Sequence, residues 1–197
     1  MRTQVGIVGA GPAGLMLSHL LHLAGISSIV VEDRSRAYCE ARVRAGLMEN
    51  WVARMLIDTG VGDRLKREAM VHDGIYISFR GEARHIDFHK LIGKQVFIYD
   101  QKEVVTDLIA KRLADGGQIY FEVEGASVHD FSGDKPRIRF RHQARRRRSN
   151  ATSSAVATAS TASAGRVFRL DHSKITTASI RSAGSASSRN RRRLTTS

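Results

Sequence analysis

The sequence predicts an α/β fold with a parallel sheet at its centre, and three observations near the N-terminus carry that expectation. Thr3–Val8 is a short apolar run of the kind a buried parallel strand needs. Gly9, Gly11 and Gly14 follow on the G-x-G-x-x-G spacing and open a helical stretch, Leu15–Leu23. A second apolar run, Ile29-Val30-Val31, ends in Glu32, at the place beyond the glycines where the dinucleotide fingerprint has its acid. Each part has a physical reason. The first glycine allows a tight turn, the second lets backbone approach a pyrophosphate, and the third lets helix and strand pack closely. The helix N-terminus carries partial positive charge and favours a diphosphate. A carboxylate closing the second strand can accept hydrogen bonds from both ribose hydroxyls. Strand, glycine triplet, helix, strand and terminal acid in one βαβ unit point to dinucleotide binding, which a lone triplet would not.

The remaining elements follow in order. Arg36–Arg44 is polar and reads as a loop. Gly46–Thr59 has Leu47, Trp51, Met55 and Leu56 at helical spacing, and Val61–Glu68 reads as a short second helix. Gly74–Arg80 alternates, with Ile75, Ile77 and Phe79 on one side, as in a half-buried strand. His85–Phe88 and Val96–Tyr99 are further strand candidates. Lys102–Asp115 predicts an amphipathic helix with Val105, Leu108, Ile109 and Leu113 on one face, stopped by Gly116-Gly117. Ile119–Val123 and Ile138–Phe140 read as strands.

Composition divides the chain in two. The 197 residues carry a formal net charge of +13. The part from Gln143 onward has 12 Lys and Arg against a single acid, Asp171, a net of +11. The part before it, 1–142, has 20 Lys and Arg against 18 Asp and Glu, a net of +2. Arg145–Arg148 is a run of four arginines, Ala151–Gly165 is almost wholly Ala, Ser and Thr, and Phe168 is the tail's only aromatic residue. Such a segment cannot bury a core, so 143–197 is expected to be a disordered basic tail. Its arginines suit incidental contact with polyanions, but it lacks the interleaved aromatics of a base-stacking surface, so no specific nucleic-acid partner is expected. Cys39 is the sole cysteine, which excludes a disulfide framework. His19, His22, His72, His85 and His89 fall at no ligand spacing, and His19 and His22 read as ordinary helix surface; no metal site is assigned. The first strand begins at once, and no apolar run reaches membrane-spanning length, so a cytoplasmic protein without a signal peptide or membrane partner is expected.

The part of the chain up to His142 resembles the para-hydroxybenzoate hydroxylase family of FAD-dependent aromatic hydroxylases. The resemblance rests on Gly9-Ala10-Gly11-Pro12-Ala13-Gly14-Leu15, on Leu20–Ile26, on Arg42-Val43-Arg44-Ala45-Gly46, and on Tyr99-Asp100-Gln101-Lys102-Glu103-Val104 with Asp107-Leu108. The Arg-x-Arg-Ala-Gly and Gln-x-Glu-Val blocks are the more specific, because all flavoproteins of the glutathione-reductase type share the glycine loop. The resemblance implies a truncated Rossmann-like FAD-binding domain of that type, a ββα/βαβ core with added strands, over residues 1–142. It also implies roles: Gly9, Gly11 and Gly14 cradle the FAD diphosphate, Glu32 binds the adenosine ribose, Arg44 lies near the diphosphate, Arg42 and Arg44 help receive NADPH, and Gln101 hydrogen-bonds the flavin side. A guanidinium suits phosphate because it forks onto two oxygens and stays charged. Asp33 departs from the family pattern, placing a second acid beside the ribose, and so does Glu40-Ala41.

The implied reaction is hydroxylation of 4-hydroxybenzoate to 3,4-dihydroxybenzoate, with NADPH reducing FAD and the protein positioning the aromatic acid and excluding water. Family members form homodimers. They are also roughly twice this length, and past His142 none of their later motifs is present. The tail reads as out-of-frame translation. Val156–Ala162, written GTT GCG ACG GCT TCC ACG GCG and read one nucleotide earlier, becomes Gly-Cys-Asp-Gly-Phe-His-Gly, a family segment. Ser179–Ala186 read in the same frame yields Val-Tyr-Pro-Phe-Gly-Trp-Leu-Gly, a second one. The chain is therefore expected to be an inactive N-terminal fragment, within which no catalytic residue can be named. Two other readings stand beside it: a flavoprotein hydroxylase for a related aromatic such as 3-hydroxybenzoate or salicylate, and a stand-alone NAD(P)-binding module with a basic polyanion-binding tail.

Overall fold

The computed structural model describes residues 1–130, 136–142, 145–151, 155–158, 166–171 and 174–179, with side chains as far as residue 142. Its centre is a sheet in the order β15-β14-β13-β2-β3-β9. Within it β13 (Ala155–Thr158), β2 (Val5–Val8), β3 (Ser28–Val31) and β9 (Gln118–Tyr120) run parallel, while β14 (Arg166–Asp171) and β15 (Lys174–Ser179) add antiparallel strands at one edge. Helix α1 (Pro12–Leu23) crosses from β2 to β3, and α6 (Gln101–Ala114) leads into β9 and packs on α1. β3 is buried along its whole length, as a strand covered on both faces must be. Val30 joins Val5, Ile7, Leu15, Leu108 and Ile109 on the helix side. Ile29 and Val31 pack on the other side with Val123, Ile138 and Phe140. That second layer belongs to a four-stranded sheet, β1 (Arg2–Thr3), β12 (Arg145–Ala151), β11 (Arg137–His142) and β10 (Glu124–His129).

Two smaller pieces complete the architecture. β4 (Leu47–Glu49), β8 (Val96–Ile98) and β5 (Met70–His72) form an antiparallel sheet, served by α3 (Asn50–Asp58) and α4 (Asp63–Glu68). β6 (Gly74–Phe79) and β7 (Glu82–Asp87) form a separate hairpin that runs into α5 (Phe88–Ile92). No helix among the described residues is long and apolar enough to cross a membrane.

Several expectations change. Thr3–Val8 is two strands broken at Gln4, because β1 pairs with β12 and β2 with β13. Arg36–Arg44 contains a helix, α2 (Arg36–Ala41), which Ser35 caps by accepting from the Tyr38 N–H at 3.2 Å and which an Arg36–Glu40 pair at 2.7 Å supports. Gly46–Thr59 starts as strand β4 before turning helical, since pairing with β8 takes up its first residues. The apolar stripe Ile75, Ile77, Phe79 is not half-buried toward its end: Phe79 is 69% exposed. On α6 the buried member of the last turn is Arg112, at 3%, and Leu113 turns outward. His19 lies in the core, its Nε2 2.8 Å from the Thr59 carbonyl oxygen. In the segment expected to be tail, four strands are described. Backbone pairing across a sheet does not depend on side-chain identity, which is how a Ser/Ala/Arg sequence can extend one. Residues 143–144, 152–154, 159–165, 172–173 and 180–197 lie outside the described residues, and with them part of the Val156–Ala162 segment and all but the first residue of Ser179–Ala186.

Candidate functional site

The glycine loop joins β2 to α1 at the C-terminal edge of the parallel strands, where open α/β sheets hold their ligands. Gly9 has φ +106°, which an L side chain rarely adopts. Gly11 is the N-cap of α1, and Pro12, which has no N–H to leave unpaired, begins the helix. No side chain caps this end and its first turn holds no acid, so the first-turn amides and the positive end of the dipole are left for an external anion. Gly14 is where helix meets strand: a Cβ there would stand 2.2 Å from the Gly9 carbonyl oxygen and 3.2 Å from Ile7 Cγ2. The glycine is needed for lack of room, not for a special φ.

Glu32 closes β3 and is tied to this loop. Its Oε2 accepts from the Ala10 N–H at 2.6 Å, and its Oε1 accepts from the Arg34 N–H at 3.0 Å. Burial raises its pKa above the ordinary carboxyl value; a hydrogen bond that the protonated acid donates to the Asp33 carboxylate adds to the rise and the two backbone donors oppose it. The extra acid, Asp33, points outward and lies 3.7 Å from Arg34 Nε. The structure thus brings Gly9, Gly11, Gly14 and Glu32 together as one unit.

Arg42 and Arg44 lie on the loop after α2, and Gln101 lies at the start of α6. Arg42 ends α2, its guanidinium 5.8 Å from the Tyr38 ring centre, with Arg34 at 5.3 Å from the same ring. Arg44 is exposed on the loop that follows. Gly46 fastens that loop to the start of α6: its carbonyl oxygen accepts from the Tyr99 N–H at 2.8 Å, and a Cβ on it would stand 2.7 Å from the Tyr99 carbonyl oxygen. Gln101 opens α6, whose N-cap Asp100 accepts from the Lys102 N–H at 3.0 Å. Beneath it, Arg64 pairs with Glu103 and, at 2.9 Å, with Asp107, which accepts from the Tyr99 hydroxyl at 3.0 Å. Sequence reasoning missed this supporting network because its members are scattered along the chain from Arg64 to Asp107. Gly46 stands within the Arg-x-Arg-Ala-Gly block, but nothing local announces that it is packed against Tyr99.

Residues 2–153 match the FAD binding domain family. The chain is 40% identical over 141 residues to the p-hydroxybenzoate hydroxylase of Acinetobacter baylyi (strain ATCC 33305 / BD413 / ADP1), an alignment covering 71% of this chain and 35% of that protein. Among solved structures it is similar to BexE (29% identity, TM-score 0.64, covering 77% of this chain and 30% of BexE). It also shares the fold of the p-nitrophenol 4-monooxygenase PnpA from Pseudomonas putida DLL-E4 (21% identity, TM-score 0.65, covering 81% and 42%). The chain spans about a third of the length of the curated relative.

Proposed function

The chain belongs to the FAD binding domain family and is similar to p-hydroxybenzoate hydroxylase, and from that premise we propose that it is the FAD-holding N-terminal part of an NADPH-dependent 4-hydroxybenzoate 3-monooxygenase. The observation that carries the reading is the uncapped N-terminus of α1 behind the glycine loop, packed close against Gly9 because Gly14 has no Cβ, with Glu32 hydrogen-bonded into the same loop. That is a helix end with charge suited to a diphosphate and a carboxylate suited to the ribose of a dinucleotide. When bound, FAD supplies the redox and oxygen chemistry. The chain's own residues bind and orient. Gly9, Gly11 and Gly14 let backbone N–H groups face the diphosphate. Glu32 keeps lone pairs for the ribose hydroxyls while its Ala10 bond holds it in place. Arg44, exposed, and Arg42, steadied by Tyr38, present positive charge to phosphate. Gln101, held by the Asp100 cap and the Arg64 network, offers an amide toward the flavin side.

The 4-hydroxybenzoate specificity, the use of NADPH and a homodimer come from the similarity alone. So does the reading of this chain as a fragment without turnover, whose tail is translated out of frame. The last point rests on the codon reading of the tail, and strand pairing gives the place of that segment in the fold. β13 runs beside β2 with Val156 opposite Gly6 and Thr158 opposite Val8. That brings the segment whose shifted reading is Gly-Cys-Asp up to the glycine loop. Resequencing codons 135 to 200 tests it: an extra nucleotide near codon 145 that restores Cys-Asp-Gly-Phe-His-Gly in frame is the expected result, and the absence of those motifs from every frame overturns it. Cofactor binding is tested on the purified chain by quenching of flavin fluorescence. Saturable FAD binding lost in Gly14→Ala is expected; binding of NAD(P) with no affinity for FAD would replace this reading with a stand-alone nucleotide module.

A further inference from the structure

At the opposite end of the parallel sheet from the glycine loop, where β2, β3 and β9 begin and α1 and α6 finish, there is a polar concavity of about 220 Å³. Arg2, His22, Ser28, Arg112, Asp115 and Gln118 are among the residues that line it. We propose that this concavity binds a small oxyanion, through Arg112 with Arg2. Arg112 is 3% exposed, yet it has no ion pair among the described residues. Its Nε donates to Ser18 Oγ at 3.0 Å, and Ser18 Oγ lies 2.9 Å from Ser28 Oγ. Its Nη1 is buried with no hydrogen-bond partner. A guanidinium cannot shed its charge at ordinary pH, so a buried one with an idle N–H calls for an acceptor carrying negative charge.

Asp115, the one acid among the lining residues, is engaged at one oxygen, while its Oδ2, like Arg112 Nη1, is buried with no hydrogen-bond partner. Its Oδ1 takes the Lys111 ammonium at 2.8 Å, and its Oδ2 lies 3.6 Å from His22 Nε2. The C-terminal ends of α1 and α6 each add about half a negative charge here, but Arg2, Lys111 and Arg112 together outweigh those ends and Asp115. The balance is positive before His22 is counted. The volume is several times that of a single water, and a planar or tetrahedral oxyanion would give Nη1 the acceptor it lacks. This site is independent of the cofactor reading, since it shares no residue with the glycine loop.

Inorganic phosphate is the probe, added to the ¹⁵N-labelled full chain at constant ionic strength against a chloride reference and followed by backbone amide shifts. Saturable shifts at Ser28, Gly116, Gly117 and Gln118 are expected, with affinity at least fivefold weaker in Arg112→Lys and in Arg2→Ala. Arg2 is exposed, so that variant decides the matter even if the Arg112 variant does not fold. Shifts confined to residues 9–14, an equal response to chloride (an adventitious ion only), or unchanged affinity in Arg2→Ala each overturn the site.

Discussion

At the scale of single residues, Gly14 shows how little tolerance the site has. A methyl group there meets the Gly9 carbonyl oxygen at 2.2 Å, and backbone cannot swing aside as a side chain can. Gly14→Ala is expected to cost about 1–3 kcal/mol of stability through overpacking, read from urea unfolding, together with the loss of FAD binding. Glu32 is a titration probe of the same site. Burial raises its carboxyl above the ordinary 4.5, so the fold favours the neutral acid. Its contribution to stability is complete below pH 4.5 and is lost as pH rises through the raised folded value. The stability difference between the wild-type chain and Glu32→Gln should therefore shift in favour of the variant across that window; a difference that stays flat with pH would contradict the assignment. Cys39 behaves likewise. Burial first, then the charges of Glu32 and Asp33, push its thiol up to about 11 from 9.0. Alkylation by iodoacetamide near pH 8 should run about a hundredfold slower than in the urea-unfolded chain, because the thiolate is the nucleophile.

At the scale of elements, the helix that carries Gln101 is held at its start by one side chain. Asp100→Ala removes the cap on the Lys102 N–H and should lower stability by about 1 kcal/mol; in the purified chain, FAD affinity should weaken with it, since the first turn of α6 presents Gln101. Most elements are legible from local pattern: β2, α1, β3 and α6 follow from apolar runs, the glycine triplet and a helical stripe. The exceptions share a cause. α2 escapes a search for apolar stripes because its support is a Ser35 cap and an Arg36–Glu40 pair. β4 reads as helix because Leu47 continues the helical spacing, while the strand that pairs with it, Val96–Ile98, lies far along the chain. The α6 stripe holds at Val105, Leu108 and Ile109 and fails at its last member, where Ser18 on the neighbouring helix offers Arg112 a hydrogen bond and draws it inward.

At the scale of the whole molecule, the described surface carries unusual apolar exposure. Trp51 is 59% exposed, Leu91 68% and Phe79 69%, with Leu47, Met70, Val71 and Ile92 exposed as well, and exposed large apolar side chains favour association. Sedimentation velocity of the purified chain is expected to show self-association that rises with concentration and that Leu91→Lys combined with Phe79→Lys reduces; a monomer at all concentrations would count against it. By itself the sequence determined the βαβ unit, with its glycine loop and the acid that closes its second strand. Those depend on contacts within the single stretch from Thr3 to Glu32, where the geometry of turn, helix end and strand end is local. Only the tertiary structure decided that Glu32 is fastened to Ala10, that Gly46 docks the Arg42–Gly46 loop on Tyr99, and that Arg112 is buried with an unused N–H. Each of these joins residues distant in sequence, and such pairings are selected by packing and by the need to satisfy buried polar groups, which no local pattern records.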